Sequence, residues 1–172
     1  MNAAHSHLII NHFPIIGLIL GLLVLLVGII LKSSVTRRAA LFVLLVSAIT
    51  SFPSFSTGEG AEEVLEHQKP KVVCSCSDDC PSMNAEMSKQ EKLTHHLIHE
   101  HEEKAEKFMP FMWGIVALSL LGLILEWKSK KLAPIVSVIV LIIGVIASYF
   151  GREVGNSGGE ISHPEIRVEK KK

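Results

Sequence analysis

The sequence carries no net charge, because 17 Lys and Arg balance 17 Asp and Glu. Without a basic excess there is no electrostatic footprint for nucleic acid, and none is expected as a partner. A phosphate-cradling glycine loop and a dinucleotide fingerprint are both missing. No nucleophile stands in a pattern with a base partner, so an enzyme with its own substrate is the less favoured reading, while a metal site could still do chemistry. Only three cysteines occur, and none lies in the CxxCH pattern of covalent haem attachment. The first apolar block has no basic leader and is too long for a signal core, so no cleaved signal is expected. The apolar blocks hold no ionisable residue beyond their outer edge, which leaves no polar path for an ion to cross.

What is present is apolar residue in long blocks: 48% of the 172 residues are hydrophobic. Four blocks span about 8–31, 39–55, 108–125 and 132–150. Each is close to the ~20 residues that cross a hydrocarbon core. In lipid the backbone must satisfy itself, so each block is expected to be a helix. The predicted fold is all-α: one membrane domain over 1–172, a four-helix transmembrane bundle in the lipid bilayer. Pro134 fits the first turn of the fourth helix. Pro14 either opens the first helix or kinks one that began earlier.

Lys32, Arg37 and Arg38 lie between blocks one and two, and Lys128, Lys130 and Lys131 between three and four. By the positive-inside rule both loops are cytoplasmic. The expected location is a bacterial inner membrane, crossed four times, with both termini extracytoplasmic. Segment 56–107 then lies outside, as do all nine histidines. Helical extensions are expected on that side.

The richest stretch there is His95 to Glu106, HHLIHEHEEKAE. At 100° per residue His95, His99, Glu102 and Glu106 form one stripe, flanked by His96 and Glu103, with His101 pointing elsewhere. Imidazole and carboxylate together suit iron, zinc and similar ions. A solvated helix face that binds nothing is the plainer reading. His12 sits where block one meets the outer surface, and an unpaired histidine there marks a site. After block two, Ser56 and Glu59 match a capping box, predicting a new helix from Thr57 that bears Glu59, Glu62, Glu63 and Glu66. Helix-dipole complementarity also accounts for Glu59 and Glu62. Residues 68–84 read as a polar insertion holding Cys74, Cys76 and Cys80. Outside the cytoplasm Cys80 pairs with Cys74 or Cys76, or the cysteines join Met83 and Met87 in a soft copper site.

The order HxHLIINHFPIIG, TGEGAEE, HEHEEKAE and GGEISHPEIR resembles a group of uncharacterised bacterial four-span inner-membrane proteins. That group shares its His-Phe-Pro signature with a larger family of unknown-function membrane domains. Some relatives are joined to Rieske or cytochrome c modules, which implies membrane electron transfer with a redox partner protein, and haem b as a possible cofactor. The matching residues are His12 and Pro14, Glu59 with Glu62 and Glu63, His101 with Glu102, and His163 with Glu165. The resemblance thus favours His101 over the stripe that geometry selects.

The expectation is an integral membrane metalloprotein with a metal or haem centre at the outer face, serving electron transfer or redox chemistry. His12, His101 and His163 are candidate haem-binding residues. Candidate metal ligands are His12, Glu59, Glu62, Glu63, His99, His101, Glu102, Glu106 and His163. His99 and Glu102 have the spacing used in bundle di-metal sites. The alternatives are an accessory to transition-metal transport and a structural subunit of a larger membrane complex.

Overall fold

A computed structural model describes the backbone of residues 3–67, 80–129 and 131–162, and the side chains of 12–56, 92–129 and 131–161. Those residues form four helices and no strand: α1 (Ala3–Ile30), α2 (Ser34–His67), α3 (Cys80–Lys128) and α4 (Ala133–Ser162). All four are long and apolar enough to cross a membrane, which is the build of a multi-pass membrane protein.

Local chemistry closes the α1–α2 turn in three residues. Lys32 takes a left-handed φ of 50°. Its N–H donates to the Ile29 carbonyl and that of Ser33 to the Gly28 carbonyl, the pair of bonds that ends a helix in a Schellman motif. Ser33 then caps α2, its Oγ accepting from the Thr36 N–H at 3.3 Å. So short a turn forces α1 and α2 into antiparallel contact. The α3–α4 turn does the same around Ser129, whose carbonyl accepts from Leu132 and Ala133.

The helices are arranged in a ring in which α1 and α3 each pack on α2 and α4. The core is a column of Leu18, Leu22 and Leu25 from α1, Leu41 and Leu44 from α2, Met112 and Ile115 from α3, and Val140 from α4. Glycines let α1 and α2 approach closely. A Cβ on Gly21 would lie 2.6 Å from Leu44 Cδ2, and one on Gly28 would lie 2.9 Å from the Arg37 backbone nitrogen. In lipid such small-residue contacts supply packing that a hydrophobic driving force cannot.

Three proline positions refine the sequence expectations. Pro14 lies inside α1, which began at Ala3, so of the two readings the kinking position holds. Pro53 does not end α2, and no separate helix starts at Thr57. Pro53 sits exposed, so its ring costs one backbone bond without clashing in the core. Around it Thr50 and Ser51 hydroxyls donate back to the Ser47 and Ala48 carbonyls at 2.8 and 2.6 Å. The capping-box residues are therefore mid-helix. Pro110 lies inside α3 and removes the bond its N–H would have given the Glu106 carbonyl, without ending the helix.

An aromatic girdle sits at one level around the bundle. Phe52 meets Trp113 with centroids 4.1 Å apart, Phe111 stacks on Phe150 at 4.9 Å, and Tyr149 adjoins Phe150. At the 1.5 Å rise this level is roughly 23–27 Å from the two turns, a little under one hydrocarbon thickness. Aromatic rings of this kind mark a membrane–water interface. Beyond the girdle the helices continue as extensions.

Candidate functional site

On α3 the inward residues are Ile98, His101, Ala105, Phe108, Met112, Ile115, Ser119, Gly122 and Glu126. Their spacing alternates three and four, the seam of a left-handed bundle, and it crosses the girdle without a break. His101 is therefore a seam residue. It meets Ser157 of α4, with Nδ1 2.8 Å from Ser157 Oγ. The serine hydroxyl lies 3.1 and 3.0 Å from the Glu153 and Val154 carbonyls; when it donates to them, its oxygen accepts from the His101 tautomer that carries its proton on Nδ1. That tautomer leaves the ring lone pair on Nε2, the arrangement metal-bound histidines use.

The stripe that helical geometry selected behaves otherwise. His95, His96 and His99 are exposed. The His99 side chain is 68% exposed, 4.0 Å from Glu102 Oε2 and 3.8 Å from Glu103 Oε1. Glu100 and Glu103 pair with Lys104 and Lys107 at 2.8 and 3.6 Å. These are i,i+3 and i,i+4 contacts on a wet helix face, the Glu–Lys pairs each worth about 0.3–0.5 kcal/mol. Glu106 is exposed on the same extension. The plainer solvated reading describes His99 and Glu106. The resemblance and the seam agree on His101.

His12 and His101 do not come together. His12 is exposed on α1 at the girdle, lining a groove against α2. His101 stands about 13–14 Å farther from the turns at the 1.5 Å rise, and α1 and α3 face each other across the ring diagonal. Helical rise thus sets the two histidines at different heights along the bundle.

Glu59, Glu62 and Glu63 lie on α2, and their side chains fall outside the described residues, as does His163. Cys74 and Cys76 also lie outside them, and Cys80 is the first residue of α3. Among the described residues no group of three His, Cys, Asp or Glu could hold a metal ion.

One ionisable site was missed by sequence reasoning. Arg37 Nε donates to Glu126 Oε1 at 2.6 Å, with the two side chains 8% and 1% exposed. The pair ties α2 to α3 inside the candidate spans. Arg37 and Glu126 flank the apolar blocks 39–55 and 108–125 at their turn ends. Lys32, Lys128 and Lys131 remain exposed at that end. Ser119, fully buried on the same seam, has an Oγ with no hydrogen-bond partner.

No family model matches the chain, and neither a curated protein nor a solved structure matches it.

Proposed function

We propose that the protein is a multi-pass metalloprotein of a bacterial inner membrane, binding a metal ion through His101 on its extracytoplasmic face and serving redox chemistry. The observation that carries this reading is the His101–Ser157 hydrogen bond. An imidazole whose Nδ1 donates to an outer partner is set to use Nε2 as a ligand. The remaining donors would come from Glu59, Glu62, Glu63 and His163. Carboxylates gathered without a cation repel one another, and a divalent ion removes that cost.

An ion fits this setting better than haem b. The other candidate donors are mostly carboxylates, which suit a non-haem ion and fit haem poorly. The orientation follows from charge. With Arg37 neutralised by Glu126, the lysines at the turn end keep it basic and cytoplasmic. Electrons would then be exchanged with a partner on the opposite side.

Purified protein should carry close to one equivalent of iron or zinc by total-metal assay, and no Soret band. His101→Ala should lose most of it. Ser157→Ala should weaken retention by 10-fold or more, as loss of an outer-shell partner does. Wild-type protein with no metal, or a His101→Ala variant with full occupancy, refutes the reading and leaves a structural subunit.

A further inference from the structure

We infer that the two-turn end of the bundle is a binding surface for anionic phospholipid, whose phosphate is held by cations from both turns. The inference rests neither on the metal reading nor on which side of the membrane the turns face.

Charge in this chain is segregated. Residues 1–58 and 108–151 hold six bases and a single acid, Glu126, while the rest of the chain holds eleven bases and sixteen acids. A chain of zero net charge is thus +5 over its spans and turns and −5 elsewhere. The one acid offsets nothing beyond its partner. Glu126 is buried against Arg37, with Nε and Oε1 2.6 Å apart. Among the described residues no carboxylate lies against Lys32, Arg38, Lys128 or Lys131. The Arg37–Glu126 bond also ties the first turn of α2 to the last turn of α3, so cations from both turns are gathered at one end of the bundle. Like charges gathered this way repel one another, and a bound anion relieves that repulsion.

The surroundings select the anion. Leu31, Val35 and Leu132 are exposed beside these cations, and Trp127 next to Lys128 is 80% exposed. A soluble phosphate gains nothing from such an apolar surface. A phospholipid covers it with acyl chain and glycerol and sets its phosphate at the cations. The turns lie where the candidate spans end, at Ile30, Ser34, Lys128 and Ala133, which is the level of lipid headgroups. A zwitterionic headgroup brings no net charge to this end, whereas an anionic one gains roughly fivefold in affinity from each cation near it.

The test uses full-length protein in phosphatidylcholine nanodiscs. Trp113→Phe leaves Trp127, at the turn end, as the sole tryptophan. Its quenching by added brominated phosphatidylglycerol is compared with that by brominated phosphatidylcholine of the same chains. Phosphatidylglycerol should quench to the same extent at a mole fraction at least fivefold lower, the factor for one cation. Lys32→Gln, Arg38→Gln, Lys128→Gln and Lys131→Gln combined should bring the two lipids close to equal. Lys92→Gln with Arg152→Gln, exposed cations outside the turn end, should keep the parent's preference. In the parent, about 1 M salt, which screens beyond ~3 Å, should shrink the preference without any substitution. Equal quenching by the two lipids in the parent overturns the proposal, as does a preference untouched by salt or by the fourfold variant. Loss of the preference in the Lys92 and Arg152 variant also overturns it, since overall charge is then the cause. So does its abolition by millimolar glycerol phosphate, which makes the ligand a soluble phosphate.

Discussion

Replacing Glu126 with Gln should be the most damaging conservative change in the chain. The substitution keeps size and shape but removes the charge facing Arg37. The Arg37 side chain is 8% exposed and its Nε has a partner 2.6 Å away. Its guanidinium cannot lose its proton to escape, so an uncompensated cation stays buried. Breaking such a pair from one side costs about 3–5 kcal/mol. For a chain of this size each kcal/mol moves Tm by about 2–4 °C, so a fall of roughly 6–20 °C is expected. Arg37→Met together with Glu126→Leu removes both charges and should regain most of that loss, because a buried pair is worth little against apolar packing. The assay is thermal unfolding in detergent for the parent, both single variants and the double, read as a double-mutant cycle. Glu103→Gln is the control, since Glu103 meets Lys107 at 3.6 Å on an exposed face and should cost under ~0.5 kcal/mol. If Glu126→Gln costs no more than that control, Arg37 has reached water on its own and the pair does not hold α2 to α3.

The α1–α2 turn offers two opposite changes. Lys32→Gly should stabilise by about 1 kcal/mol, because a non-glycine residue at φ 50° carries a penalty of that order, and Ser33→Ala should destabilise by about 1 kcal/mol through loss of the α2 cap; unfolding midpoints moving in the same direction would contradict the turn geometry. Gly21→Leu should separate α1 from α2 and cost 1–3 kcal/mol or more by overpacking against Leu44, which thermal melts and protease sensitivity would both register. Reporter fusions truncated at Lys32 and at Lys172 should give opposite signals, and cytoplasmic activity at Lys172 would invert the proposed orientation.

The four spans were legible because each is a long apolar run with nothing to interrupt it. Other features were not, for reasons particular to the residues. His101 was passed over when helix geometry was anchored on the histidines themselves. Anchored on Met112 and Ile115, the three–four spacing runs back through Phe108 and Ala105 to His101, with Ile98 beyond. Pro53 and the Ser56–Glu59 pattern looked like punctuation, yet α2 absorbs them, because packing of the Ser51 and Ser54 face overrides a local stop. Arg37 read as a topology marker and Glu126 as nothing in particular. Only folding brings together two groups 89 residues apart in sequence.

The unbroken α3 seam also has a mechanical side. His101 lies roughly 42 Å from the α3–α4 turn at the 1.5 Å rise. Over that arm a relative tilt of about 5° displaces the tip by nearly 4 Å, more than the 2.8 Å that separates His101 from Ser157. The two helices must therefore stay aligned to within a few degrees for the contact to exist at all. That alignment is set near the fulcrum, where Ala133 and Ser137 at the start of α4 are fully buried. The bundle works as a long-armed caliper: small shifts at its hinge end are read out, magnified, where the histidine sits.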